Sequence, residues 1–360
     1  MAWAVPEFEP EQVNVAGKAL SRMSFPVDTP EGLSALAVIN NWRSSHAYPL
    51  NTFQITLRTR ARRIESNVII AQREKRLDSI HRKLTAKKTM RMTQMQDIAG
   101  CRAVFSKLTN VYKLVELYKT RKFDHKFRNE KDYIANPKPD GYRSYHLVYE
   151  YVGSGPGVPY SGLRVEVQIR TQIQHAWATA VEAVGIFTKQ ALKSNQGDAD
   201  WLRFFSLMGT AIASIERTSC IPGTPTTKDE LVAELRDLAD SLAARDMLRA
   251  YNTTLNTLGS AKDAKYFIVE LDPDANKVTV RRFKNKESAE ANRQYTELES
   301  QIPEDSRRQV VLVSVVDINA LKRAYPNYFL DTALFARIVD KVLKGDFPDP
   351  IIPVAIVDNS

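Results

Sequence analysis

The stretch Arg164-Val165-Glu166-Val167-Gln168-Ile169-Arg170-Thr171 alternates strictly between apolar and polar residues. In an extended chain this puts Val165, Val167 and Ile169 on one face and Arg164, Glu166, Gln168 and Arg170 on the other. An antiparallel strand with one solvated face reads the same way, so the alternation alone does not make a site. A second acid in a β context raises the functional reading. Asp97 stands in Asp97-Ile98-Ala99-Gly100-Cys101-Arg102, at the entrance of a short strand over 101–105. Two carboxylates converging from neighbouring strands can hold Mg²⁺, which prefers carboxylates and substrate phosphates to a closed protein cage.

Outward from these strands the chain supplies cations and a constrained loop. Residues 76–84 read as a helix on which Ser79 and Lys83 are i, i+4 neighbours, with Arg73 and Lys75 just before it. An exposed basic helix is the bland reading. Downstream, 132–146 holds Pro137-Lys138-Pro139-Asp140-Gly141-Tyr142-Arg143 and ends in a strand expected over 145–151. An aromatic ring presented between Lys and Arg suits base stacking beside neutralised phosphates. A Tyr142 that packs onto the core is the plain alternative.

The charge is uneven. Residues 1–220 hold 32 Lys+Arg against 20 Asp+Glu, whereas 221–360 hold 19 against 22, within a net charge of +9 over 360 residues. The first part is built to meet anions. The basic groups Arg58, Arg60, Arg62 and Arg63, with the run 121–128, are expected to guide a nucleic acid. Two separated cysteines, Cys101 and Cys220, exclude a disulfide framework or a Cys-rich zinc site and suit a reducing cytoplasm. The N-terminus lacks signal-peptide character, and no apolar run approaches the ~18 residues of a membrane span.

Helices are expected over 29–45, 50–63, 111–118, 172–187 and 199–217. A Pro/Gly-rich linker follows at 221–227, where the charge changes sign. Beyond it the pattern gives a helix over 228–258, strands over 266–271 and 277–283, a helix over 286–301, a strand over 309–316 and a last helix from near 328. This second part reads as small and α+β.

Taken in order, these blocks resemble the synthetase domain of the RelA/SpoT family of pyrophosphokinases. The matching stretches are Asp97 to Arg102, Asp132 to His146, Glu166 to Thr171 and Gln174-His175-Ala176-Trp177-Ala178, within about 64–189. The resemblance implies an α/β fold, a nucleotidyltransferase-like mixed β-sheet with flanking helices. It implies transfer of the β,γ-pyrophosphate of ATP to a ribose 3′-hydroxyl, a reaction that rests on positioning, metal and cationic clamps. Residue by residue, Asp97 and Glu166 would bind Mg²⁺, and Glu166 would be the general base. Arg73 would stack on adenine, with Lys75, Ser79, Lys83 and Arg102 on the ATP side. Tyr142 would stack on the acceptor base, with Lys138, Arg143, His146, Gln168 and Arg170 around the acceptor. The sequence departs from the pattern at Asp140, where Asn is frequent, and at Glu182, one position later than the usual acid. A second adenine-stacking arginine is not located.

The C-terminal part, without Cys ligands and with Tyr325-Pro326-Asn327-Tyr328 before its last helix, resembles the fused antitoxin of the CapRel class of anti-phage proteins. There the added domain is zinc-finger-like without metal. This resemblance implies a toxin domain over 1–222 and an autoinhibitory sensor over 223–360, with Tyr325 and Tyr328 plugging the ATP site. It further implies tRNA 3′ CCA ends as the acceptor and a phage structural protein, such as capsid, as the trigger. An alarmone synthetase acting on GDP or GTP is the same-fold alternative. A non-catalytic nucleotide- or RNA-binding module is the other, disfavoured because Asp97, Glu166, Lys83 and Tyr142 are all present.

Overall fold

The computed structural model describes residues 3–23, 29–188, 198–250, 264–272, 275, 277–303, 306, 308–314 and 332–350. Eight strands lie in one sheet: β1 (Ile69–Glu74), β2 (Ala99–Phe105), β3 (Lys126–Asp132), β4 (Tyr145–Glu150), β5 (Arg164–Thr171), β6 (Tyr266–Asp272), β7 (Lys277–Phe283) and β8 (Gln309–Ser314). Their order is β3-β4-β5-β2-β1-β8-β6-β7. The β2–β5 pair is parallel and every other pair is antiparallel.

The alternation at 164–171 is realised as a strand with Val165, Val167 and Ile169 fully buried. They face a core shared with Phe53 and Leu57 of α3 (Ala47–Ile64) and Val111 and Leu114 of α5 (Leu108–Thr120). The opposite face is covered by α6 (Gln172–Phe187), α7 (Ala199–Glu216), α8 (Lys228–Ser241) and the C-terminal helix α11 (Ala333–Leu343). Thr171 ends β5 and caps α6: its side chain accepts from the Gln174 amide while Gln174 reaches back to the Thr171 amide. This reciprocal cap turns the chain sharply from strand to helix. Near the N-terminus, α1 (Pro10–Leu20), α2 (Pro30–Ser45) and α4 (Leu77–Ala86) form a third apolar cluster.

Elements α1, β1 and β3 are absent from the sequence reading, with physical cause for both strands. β1 follows a basic helix and carries only three apolar residues, and β3 is a polar edge strand whose one large apolar side chain, Phe127, is exposed. The helix expected over 228–258 breaks after Ser241 and resumes as α9 (Ala244–Ala250), with Ala243 at a positive φ of 46°, and its remainder, 251–258, lies outside the described residues. The strand at 309–316 is described as far as Ser314. The last helix is described from Ala333, and Tyr325 and Tyr328 lie outside the described residues.

Strands from either side of residue 222 share the sheet. β8 pairs with β1 through Gln72 opposite Ser314 and Arg73 opposite Val313, and on its other edge with β6. The helix α10 (Ser288–Ser300) then covers the β6–β8 face through Ala291 and Tyr295.

Candidate active site

The parallel β2–β5 register sets Gly100 opposite Glu166 and Arg102 opposite Gln168. Asp97 stands two residues before β2, where the Lys75 amide bonds the Ile98 carbonyl. The two acids therefore open into one cavity of about 390 Å³. Its wall also includes Arg73, Lys75, Lys83, Arg102, Lys138, Tyr142, His146, Gln168 and Arg170.

Asp97 is held between two ammonium groups, with Lys75 Nζ 2.7 Å from Oδ2 and Lys83 Nζ 2.8 Å from Oδ1. Burial alone would raise its pKa, but the two lysines outweigh burial and hold it well below the carboxylate range. Burial in turn lowers the pKa of Lys75, with Asp97 opposing it. Lys83 projects from α4 while Lys75 precedes that helix, so β1 and α4 together build the cationic pair.

Glu166 has other partners. Gln168 Nε2 donates to its Oε2 at 2.6 Å, and His146 Nδ1 lies 3.0 Å from its Oε1. Burial raises the Glu166 pKa, but His146 and Gln168 together bring it below its ordinary value. The other nitrogen of His146, Nε2, is 2.9 Å from the Tyr142 hydroxyl. Arg102 donates to Gln168 Oε1 at 3.3 Å, tying the strands at the cavity floor. Arg170 is buried against His175, and burial lowers its pKa to about 9.

The loop that presents Tyr142 is anchored from below. Gly141 has φ +92°, and a Cβ there would lie 2.8 Å from the Phe205 carbonyl, so the turn needs glycine twice over. Ser206 Oγ donates to the Pro139 carbonyl at 2.9 Å. Asp140 accepts from the Tyr142 amide at 2.9 Å, a bond an asparagine oxygen makes equally well. Lys138 Nζ sits 4.6 Å from the Tyr133 ring centre and 5.2 Å from that of Tyr142, two rings that meet edge to face with centroids 5.9 Å apart.

Of the residues picked from sequence that the structure describes, eleven thus meet in this cavity and two do not. Arg143 turns into the core and donates to the carbonyls of Ile134 and Ser219 and to Thr218 Oγ1. Its place among the acceptor-binding residues is corrected to a strut between the loop and the end of α7. Ser79 lies on α4 a turn before Lys83, outside the cavity wall. The wall also holds residues without an assigned role in the sequence reading: Lys87, Tyr133, His175, Trp177 and Glu182. Lys87 had a signal, since it follows Lys83 by one turn. Glu182 lies near enough to Arg170 to raise that residue's pKa, partly offsetting burial.

The donor set fits Mg²⁺. Two carboxylates and an open cavity suit an ion that takes its remaining ligands from water and phosphate. Among the described residues no group of three or more His, Cys, Asp or Glu could form a closed metal cage.

The basic surface over 51–128 that is expected to guide nucleic acid is partly consumed by the fold. Arg60 donates to the carbonyls of Leu117 and Lys122, and its guanidinium lies 4.6 Å over the Tyr118 ring. Lys119 pairs with Glu130, Lys122 with Asp124 and Arg128 with Glu150.

Residues 72–191 match the model of the region found in RelA / SpoT proteins, which contains Asp97, Glu166 and the Tyr142 loop. The GTP pyrophosphokinase YwaC of Bacillus subtilis is 40% identical over 86 residues, covering 24% of this chain and 40% of that protein. The GTP pyrophosphokinase of Haemophilus influenzae is 38% identical over 103 residues, 29% of this chain and 12% of that protein. The match therefore spans well under two thirds of these relatives' length. Among solved structures, the small alarmone synthetase 2 of Bacillus subtilis is 26% identical and covers 44% of this chain and 84% of that chain, with a TM-score of 0.37. No described helix is long and apolar enough to cross a membrane.

Proposed function

We propose that the chain is an ATP-dependent pyrophosphokinase whose acceptor is the ribose 3′-hydroxyl of a guanine nucleotide. One observation carries the reading: a single cavity holds Lys75 and Lys83 about Asp97, and Glu166 linked through His146 to the Tyr142 hydroxyl. The first group suits a polyphosphate and the second a base and its sugar. In this reading Arg73 lies against adenine, and Lys75 and Lys83 take phosphate oxygens. Tyr142, with Tyr133 and Lys138, receives the acceptor base. Asp97 and Glu166 would hold Mg²⁺, which neutralises phosphate charge when bound. Glu166 accepts the proton as the 3′-oxygen bonds the β-phosphorus, and the bond from that phosphorus to the α-phosphate oxygen breaks to release AMP.

The guanine acceptor is supported by the names of the matched relatives, and the engaged state of Arg60, Lys119 and Arg128 weakens the case for a tRNA guide. The acceptor implied by the fused-class resemblance remains in the test. The protein is incubated with γ-labelled ATP and GDP, GTP or deacylated tRNA, with and without phage lysate. Label in a guanine nucleotide supports the proposal. Label in tRNA alone replaces it with the tRNA-directed reading, and lysate-dependent label supports a phage trigger. No transfer to any acceptor, with ATP bound, points to the binding module.

A further inference from the structure

The corner between β1 and α4 carries Lys75 at one side and leads to Lys83 at the other, so its shape sets how the two ammonium groups bracket Asp97. Two buried side chains, Glu299 from the far side of residue 222 and Arg43 from α2, hold that corner. Glu299, on α10, accepts from the Leu77 amide at 2.6 Å and from the Tyr295 hydroxyl at 2.8 Å. Its carboxylate also pairs with Arg43 of α2, Nη2 to Oε2, at 2.9 Å. Arg43 Nε in turn donates to the Lys75 carbonyl at 3.1 Å. A single carboxylate thus ties down Leu77 directly and Lys75 through Arg43. Arg76, between them, donates to Gln309 of β8 at 2.6 Å.

The placement is more than packing. Leu77 is the first residue of α4, whose leading amides have no partner within the helix, and a negative charge there is favoured by the helix dipole. The Arg76 cap position supplies no side-chain cap of its own. Glu299, from the other side of residue 222, does that work. With Glu299 and Arg43 both buried, loss of Arg43 strips Glu299 of its counter-charge beside the corner, and loss of Glu299 leaves Arg43 only Glu74.

We propose that Glu299 is a positioning residue for the polyphosphate end of the cavity: through Leu77 and Arg43 it fixes the spacing of Lys75 and Lys83. This rests on the reading of those lysines as ATP-phosphate ligands. The C-terminal part would then be a structural component of the donor site, needed for ATP to bind well.

The full chain is tested as Glu299→Ala and Glu299→Gln, with Glu297→Gln, an exposed neighbour on the same helix, as control. Three quantities are read: backbone hydrogen exchange at Leu77 without ligand, calorimetric affinity for a non-hydrolysable ATP analogue with Mg²⁺, and turnover at saturating ATP. Glu299→Ala should speed the exchange and weaken the analogue about tenfold, the scale of one lost charge-assisted hydrogen bond. Glu299→Gln keeps an oxygen toward Leu77 but loses the charge facing Arg43, so it should weaken binding about threefold. Turnover at saturating ATP should stay within about twofold of wild type, because the acceptor end is untouched. Wild-type affinity in folded Glu299→Ala, or in Glu299→Gln if the alanine variant does not fold, overturns the proposal. An equal loss in Glu297→Gln also overturns it. If wild-type protein binds no analogue, the ATP reading has failed, and exchange at Leu77 alone decides whether Glu299 holds the corner.

Discussion

Phe335 of α11 stacks on Phe205 of α7, with ring centroids 5.9 Å apart and planes 29° from parallel. Both rings are buried in the cluster that also takes in Trp177 and Trp201. The C-terminal helix thus supports the helix on which the Tyr142 loop rests. Phe335→Ala should cost about 3–5 kcal/mol through lost burial and a residual cavity. Chemical denaturation followed by tryptophan fluorescence checks this. It should give a lower midpoint in one transition, whereas an early separate transition would show a C-terminal part that melts alone.

Glu166→Gln keeps volume and the bond to Gln168 but removes the proton acceptor. Pyrophosphate transfer should fall by roughly 10²–10⁴-fold with unchanged circular dichroism. Asp97→Asn should be at least as damaging, because it leaves Lys75 and Lys83 facing each other without their shared carboxylate. Transfer assays at saturating ATP and acceptor measure both.

Arg143 and Lys138 should separate, although both come from one loop. Arg143→Met strips two carbonyls and a hydroxyl of their buried donor, each costing about 1–3 kcal/mol. The melting temperature should drop while the acceptor KM of the folded fraction holds within about twofold. Lys138→Ala loses only partly exposed contacts to the Tyr133 and Tyr142 rings, so it should lower the melting temperature little and raise the acceptor KM about tenfold through the missing ammonium beside the acceptor.

Stability should depend on pH through Glu74. Burial, only partly offset by Arg43, raises its pKa from 4.5 to about 7. A carboxyl that resists ionisation in the folded state stabilises most below the unfolded value, and the benefit is lost as pH rises through about 7. Wild-type protein should therefore melt progressively lower between pH 5 and pH 8, values set by that shift. Glu74→Gln should flatten that slope and melt higher than wild type at pH 8, as thermal scans across the range would show.

The strand at 164–171, the turn at Asp140-Gly141 and the helix starts at Pro30 and Gln172 were all legible in the sequence. Alternation decides which face a residue takes, and caps act over three or four residues, so each is written locally. The same locality makes Asp97, Glu166 and Tyr142 recognisable as a set, since each sits in its own short motif. Lys75 and Lys83 could be marked as cations near that set, but their closure on Asp97 depends on how β1 and α4 meet. Arg143 shows the limit most plainly: its neighbours in sequence line the cavity, yet it turns into the core, because three acceptors brought from Ile134, Thr218 and Ser219 converge behind it. The pairing of β8 with β1 and the reach of Glu299 to Leu77 join residues more than 200 positions apart. No local periodicity encodes such partners; edge complementarity and the need to satisfy buried polar groups select them only once the sheet has formed.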